Sequence, residues 1–220
     1  MKKHFMYELL GTAFLLSVVT GSGYMGTSLG PGNPALTLLG NSIATGAGLY
    51  VLISTVMPFS FAHFNPLVSM VAWSKKLIDT PTLFLCFMAQ FLGAIAGVWI
   101  THGMFDLPLI QSSSQVREGF GILMSEFLGS LILLFVIHHR SKSAQHEVPL
   151  AVALIVTAGY WFTSSTFFCN PAVTVARSLT NTFVGIHPGN VPGFIVSQVS
   201  ATVLFILVTK SFNKRNVMES

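Results

Sequence analysis

Two short stretches decide the fold: His63-Phe64-Asn65-Pro66-Leu67 in the first half of the chain and Cys169-Asn170-Pro171-Ala172 in the second. Asn is among the strongest helix N-caps, and Pro is favoured at the first helical position, where its missing N–H costs nothing. Each Asn-Pro pair therefore predicts the start of a helix. The first helix has only about ten residues before Lys75, or about 15 Å, which is half of a bilayer's hydrocarbon core. It is predicted to re-enter the membrane rather than cross it.

The composition around these stretches is that of a membrane protein. Of 220 residues, 52% are hydrophobic and 8% are charged, and the mean hydropathy is +0.70, whereas soluble domains carry about 25% charged residues. A membrane-spanning helix needs about 20 apolar residues. Six stretches qualify: 5–28, 36–57, 82–104, 120–138, 148–167 and 192–209. Because five further spans follow the first, it is interpreted as a mature helix and not as a signal peptide.

The basic residues indicate membrane topology. The net charge is +4, but the basic residues form short clusters between spans, which disfavours a nucleic-acid partner. By the positive-inside rule, both chain ends are predicted to be cytoplasmic, with Arg117 and Arg177 on the other side. Cys86 and Cys169 have no partners at disulfide or metal-ligand spacing. The residues counted on the cytoplasmic side are Lys2, Lys3, Lys75, Lys76, Arg140, Lys142, Lys210, Lys214 and Arg215.

The two halves of the chain repeat each other. The stretch that begins at Glu8 resembles the one that begins at Glu126, each half has one Asn-Pro pair, and Gln90 is echoed by Gln198. The repeats cover approximately 5–104 and 120–212 within a single domain, 1–220. Three spans per half is an odd number, so the second half enters the membrane from the opposite face. The half-helices are therefore expected to meet with their N-termini near the midplane.

This meeting point has the properties of a pore. Non-helical backbone at membrane depth is tolerated only where protein or a watery cavity surrounds it. Each helix N-terminus carries roughly half a positive elementary charge, so the two together oppose cations, including hydronium. Asn65 and Asn170 cap the helices through their side-chain oxygens, which leaves the NH2 groups to donate to passing solutes. Water held by both Asn side chains would interrupt a proton wire.

The matched set of Glu8, Glu126 and the two Asn-Pro boxes resembles the major intrinsic protein family of aquaporins and glycerol facilitators, over nearly the whole chain. The resemblance implies an all-α membrane protein with six transmembrane helices and two re-entrant half-helices in an inverted repeat. It also implies a channel rather than an enzyme, with no cofactor or metal, as a homotetramer in a bacterial-type inner membrane. Glu8 and Glu126 would then be structural acids that accept N–H groups of the re-entrant loops.

The sequence departs from the family pattern at the pore. Leu67 replaces the usual Ala and is interpreted as a packing variant that narrows the midplane slightly. Val173 stands where the family has a filter Arg. The predicted filter is therefore wider and more apolar than that of a strict water channel, and it consists of Thr45, Ala158, Phe167 and Val173, with Arg177 one helical turn later.

Several alternatives stay open at this point. The segment from Asn170 to Thr180 also resembles bacterial aquaglyceroporins associated with arsenic resistance, which implies arsenite, As(OH)3, as a solute on equal terms with glycerol-like polyols. Arg177 either caps its half-helix and binds loop carbonyls, or reaches back to the filter. A strict water channel remains a competing interpretation. So does a gradient-coupled transporter, in which Glu8 and Glu126 would relay protons.

Overall fold

The computed structural model describes the backbone of residues 1–218 and the side chains of residues 1–211. Lys214 and Arg215, which the sequence analysis counts toward the cytoplasmic charge, have side chains outside this described part. Residues 1–218 form α-helices joined by loops and short 3-10 turns, with no strand among them. The helices are α1 Lys2–Leu29, α2 Pro34–Val56, α3 Pro66–Ser74, α4 Thr80–Met104, α5 Phe120–Ser143, α6 Val148–Phe162, α7 Pro171–Arg177 and α8 Val191–Met218.

Six helices cross the membrane, and α3 and α7 are the two re-entrant half-helices. Five of the six are long and apolar enough to span by those criteria alone, while α6 has only 15 residues. The predicted span 148–167 was therefore too long. Beyond Phe162 the chain leaves the helix, and Thr166, Phe167 and Cys169 all have positive φ angles. The apolar side chains of this segment suggested membrane burial in the sequence, but they belong to the loop before α7.

The chain crosses in an order that gives the fold two faces. The start of α1 and the end of α8 lie on the same side of the membrane, which is here called the terminal face. The other side of the membrane is called the opposite face. α3 begins inside the protein and ends toward the terminal face, whereas α7 ends toward the opposite face. Helices α1 to α4 and α5 to α8 thus form the two inverted halves, and the two half-helices point their N-termini at each other.

Asn caps and Pro starts define both half-helices. The Asn65 side-chain oxygen accepts the N–H of Leu67 at 2.9 Å. The Asn170 side-chain oxygen accepts the N–H of Ala172 at 3.0 Å. The same device begins the spanning helix α2, where Asn33 precedes Pro34. An Asn-Pro pair therefore marks a helix start, and only its place within the inverted halves distinguishes a half-helix from a span.

Helices α1 and α4 approach each other closely through two glycines. A Cβ atom added to Gly93 would lie 2.3 Å from the carbonyl oxygen of Leu9, and one added to Gly97 would lie 2.1 Å from that of Ala13. Real atoms do not approach so closely, so both positions require glycine. The small-xxx-small spacing thus brings the two backbones into contact, as is common between membrane helices.

Candidate solute pathway

The loop before α3 is held by a buried carboxylate. Glu8 on α1 has no solvent exposure, and its two oxygens accept the backbone N–H groups of His63 and Phe64 at 2.8 Å each. Gln90 on α4 donates its side-chain amide to the same carboxylate at 2.8 Å. Backbone groups at this depth have no water to bond, so a charged acceptor stabilises the irregular loop.

The loop before α7 repeats this arrangement. Glu126 on α5 accepts the N–H groups of Phe168 and Cys169 at 3.0 and 2.9 Å. Gln198 on α8 donates to it at 2.6 Å. Each carboxylate thus has three donors and no exposure, which suits a fixed structural anion. In the sequence, Gln90 and Gln198 were visible only as a mark of the repeat, and their presence in both halves in the same order was the available signal for this role.

The two halves are also braced directly across the midplane. The side-chain NH2 of Asn65 donates to the carbonyl oxygen of Cys169 at 2.8 Å. The side-chain NH2 of Asn170 donates to that of Phe64, also at 2.8 Å. The expectation that these NH2 groups are free for solutes was therefore half correct, since one hydrogen of each is used and one is left. The brace fixes the half-helix ends against each other.

A cavity of about 390 Å³ runs past both Asn side chains. Toward the terminal face its walls include Lys75 and His138, and in the other direction they include Tyr160 and Arg177. Asn65 and Asn170 lie between these two ends and are almost completely buried. One elongated cavity thus connects the meeting point of the half-helices with the region of the predicted filter.

Thr45, Phe167 and Val173 line this cavity, as a filter position must, but Ala158 does not. The side chain of Ala158 is exposed on the outer surface of α6, so its placement in the filter was wrong. Tyr160 occupies that wall instead, and its hydroxyl forms a 3.1 Å hydrogen bond with the Thr45 hydroxyl. Counting back from Asn170 assumed a longer loop. Because the loop between α6 and α7 is shorter than assumed, the α6 residue that faces the cavity is Tyr160, two residues after Ala158.

Leu67 also lies elsewhere than expected. It is fully buried and packs with Val71, Leu134 and Phe205, on the side of α3 that faces α5 and α8. It does not line the cavity, so the interpretation that it narrows the midplane was wrong. Its extra volume fills the contact between helices. Ala172, its counterpart in the second half, is likewise completely buried.

The sequence left open whether Arg177 binds loop carbonyls or reaches the filter, and the structure has features of both arrangements. Its Nε donates to the carbonyl oxygen of Val184, and its guanidinium carbon lies 3.4 Å from the ring centroid of Phe168. The residue is 2% exposed and lines the cavity. It therefore binds a loop carbonyl and also presents its charge to the solute pathway.

A second guanidinium, that of Arg117, was missed by the sequence analysis. It lies 5.3 Å from the same Phe168 ring and donates to the carbonyl oxygens of Gly185 and Phe183 at 2.7 and 3.1 Å. These bonds tie the loop before α5 to the loop after α7. A single Arg in a loop carries no spacing signal, so the sequence offered no way to find it.

Comparison with known proteins identifies the family. The family model described as "Major intrinsic protein" matches residues 1–167, which include the first box and both buried acids. The chain belongs to the major intrinsic protein family. Like other members, it is a multi-pass membrane channel and not an enzyme.

Relatives of this family match most of the chain. Aquaglyceroporin AqpS of Rhizobium meliloti (strain 1021) is 44% identical over 196 residues, which cover 89% of this chain and 84% of the relative. Human Aquaporin-5 is 26% identical over 212 residues, covering 90% of this chain and 77% of the relative. The solved structure of the aquaglyceroporin from Plasmodium falciparum superposes with a TM-score of 0.69 at 22% identity, covering 94% of each chain. That likeness supports the fold.

Proposed function

We propose that this channel passes small uncharged polar solutes: water, glycerol-like polyols and arsenite as As(OH)3. The observation that carries the proposal is the two-sided wall of the cavity beside Asn170. The hydroxyls of Tyr160 and Thr45 stand on the helices α6 and α2, whereas Phe167 and Val173 contribute apolar surface. A polyol has hydroxyl groups along a hydrocarbon backbone, so it matches a wall of this kind. As(OH)3 resembles glycerol in size and in its hydroxyl groups.

Val173 supports a solute larger than water. The usual Arg at this position would project a long charged side chain across the pore, and Val does not. Arg177 lies one turn later, where its charge reaches the pathway without closing it. The names of the bacterial and Plasmodium relatives, both aquaglyceroporins, agree with this size class.

Protons are excluded, in this proposal, by the meeting point of the half-helices. Two helix N-termini contribute about one positive charge-equivalent in total near the midplane. Asn65 and Asn170 each keep one amide hydrogen for solutes, so a water molecule there accepts hydrogen bonds and points its own hydrogens away. Both effects oppose conduction along a chain of waters.

The proposed setting is a bacterial-type inner membrane with both chain ends in the cytoplasm. Most basic residues fall on the terminal face, including Lys2, Lys75 and Lys142, which follows the positive-inside rule. Arg117 and Arg177, on the opposite face, are both tied to loop carbonyls. A homotetramer is proposed from the family resemblance.

The test is stopped-flow light scattering on proteoliposomes, comparing water, glycerol and arsenite fluxes. In the variant Val173→Arg, glycerol flux should fall about tenfold while water flux changes less, a difference of roughly 1.4 kcal/mol in barrier height. Val173→Ala is the matched control, because it changes the same cavity-lining position without adding a long charged side chain. Equal glycerol and water losses in Val173→Arg would refute the filter assignment. Saturable flux that an uncoupler abolishes would favour the transporter.

A further inference from the structure

The charged side chains along the cavity are all basic. Among the side chains of residues 1–211, Arg177 and Lys75 line it, together with His63 and His138, and no Asp or Glu does. The two buried acids of the fold lie behind the loops, with their oxygens bonded to backbone N–H and amide groups. The lining of the pathway therefore carries positive charge, and the two buried carboxylates lie outside the lining.

Arg177 provides hydrogen-bond donors as well as charge. A guanidinium has five N–H donors, and the only acceptor for Arg177 within the described residues is the carbonyl of Val184, which bonds its Nε. The single ion pair among these residues, Arg140 with Glu147, lies on the surface. The terminal nitrogens of a side chain that is 98% buried thus have no protein acceptor, and the cavity is the space that they adjoin.

The neighbouring Arg117 adds positive charge beside Arg177, but it does not line the cavity and so does not compete as a donor there. Its guanidinium approaches the same Phe168 ring, and its Nε and one terminal nitrogen already bind loop carbonyls. Packing against Phe168 also fixes the plane of the Arg177 guanidinium. A fixed planar fork is suited to bidentate binding of planar oxyanions.

We propose that the cavity at Arg177 binds a small planar monovalent oxyanion, of the nitrate or carboxylate class, which competes with neutral solutes for the pathway. The competition rests on the proposed function, whereas anion binding does not. A single charge-assisted fork in a hydrated cavity gives weak binding, in the millimolar range. The anion therefore acts as a reversible inhibitor whose effect depends on its concentration.

The flux experiment uses nitrate, which stays ionised at neutral pH, with gluconate at equal osmolarity and ionic strength as the control anion. Nitrate should slow glycerol flux about twofold at concentrations near its dissociation constant, and higher glycerol should relieve the inhibition. Arg177→Lys keeps the charge but loses the fork, so inhibition should weaken. Lys75→Gln removes the cation at the end of the cavity nearer the terminal face, and nitrate should still inhibit glycerol flux through this variant. Equal inhibition in Arg177→Lys and the wild type, or inhibition that glycerol does not relieve, overturns the proposal.

Thermal unfolding in detergent tests binding without flux. Nitrate should raise the unfolding temperature of the wild-type protein relative to gluconate, because a ligand that binds only the folded state stabilises it. The increase should be smaller in Arg177→Lys. No difference between the two anions overturns the anion site. A wild-type protein that nitrate stabilises but that passes no glycerol would refute the proposed function and leave the anion site supported.

Discussion

Replacing Glu126 with Gln tests whether this buried acid is structural. In the wild type the carboxylate accepts the N–H groups of Phe168 and Cys169 and the side chain of Gln198. The amide of Glu126→Gln keeps one oxygen acceptor. Placed at the position of Oε2, that oxygen still accepts from Cys169 and Gln198, and the NH2 group faces the N–H of Phe168, which loses its acceptor. Hydrogen bonds to charged groups contribute about 1.5–3 kcal/mol each. Losing one of the three should lower the free energy of unfolding by about 1.5–3 kcal/mol.

The free energy is measured by SDS titration in mixed micelles, followed by circular dichroism. Glu147→Gln is the control, because it removes the same charge from an exposed ion pair and should cost less than about 1 kcal/mol. Glycerol flux should fall in Glu126→Gln in proportion to the folded fraction. A variant as stable as the wild type that has lost pH-dependent, gradient-driven uptake would refute this reasoning and favour a proton relay.

Three further changes test other parts of the molecule. Tyr160→Phe removes the hydroxyl that bonds Thr45, so glycerol flux should fall severalfold while water flux is kept, as stopped-flow would show. Gly97→Val places a side chain against the Ala13 carbonyl, where even a Cβ would lie at 2.1 Å, and should prevent stable folding, seen as loss of the monodisperse peak in gel filtration. Asn33→Ala removes the cap of α2 and should cost about 1 kcal/mol in the SDS titration.

The sequence carried enough information for the fold because its signals are local or repeated. Spans follow from about 20 apolar residues, and the half-helices follow from Asn65 and Asn170 in matched positions. The inversion follows from an odd number of spans per half. None of these steps requires knowledge of which side chains touch.

The pore wall could not be predicted as well, because it depends on the register of neighbouring segments. Ala158 and Tyr160 are two residues apart, which is about 200° around a helix at 3.6 residues per turn. An error of two residues in the loop length therefore selects a residue on the outer surface of α6 instead of one that lines the cavity. Leu67 likewise faces α5 and α8 instead of the cavity. The hydrogen bonds from the capping Asn side chains to the carbonyl oxygens of Phe64 and Cys169 join residues more than a hundred positions apart. No rule based on sequence spacing predicts such bonds.

The same inverted frame explains why the proposed filter lies in only one half of the pore. Phe64 and Cys169, each before its capping Asn, have similar positive φ angles of 48° and 45°, so the two loops follow matching backbone paths. Three residues before each Asn, however, the first half has Ala62 and the second has Phe167. Seven residues after, it has Ala72 where the second has Arg177, and all four line the cavity. With the backbone repeated, the side chains alone place a large ring and a guanidinium in one half and two Ala side chains in the other, so exchanging these residues should move selectivity without changing the fold.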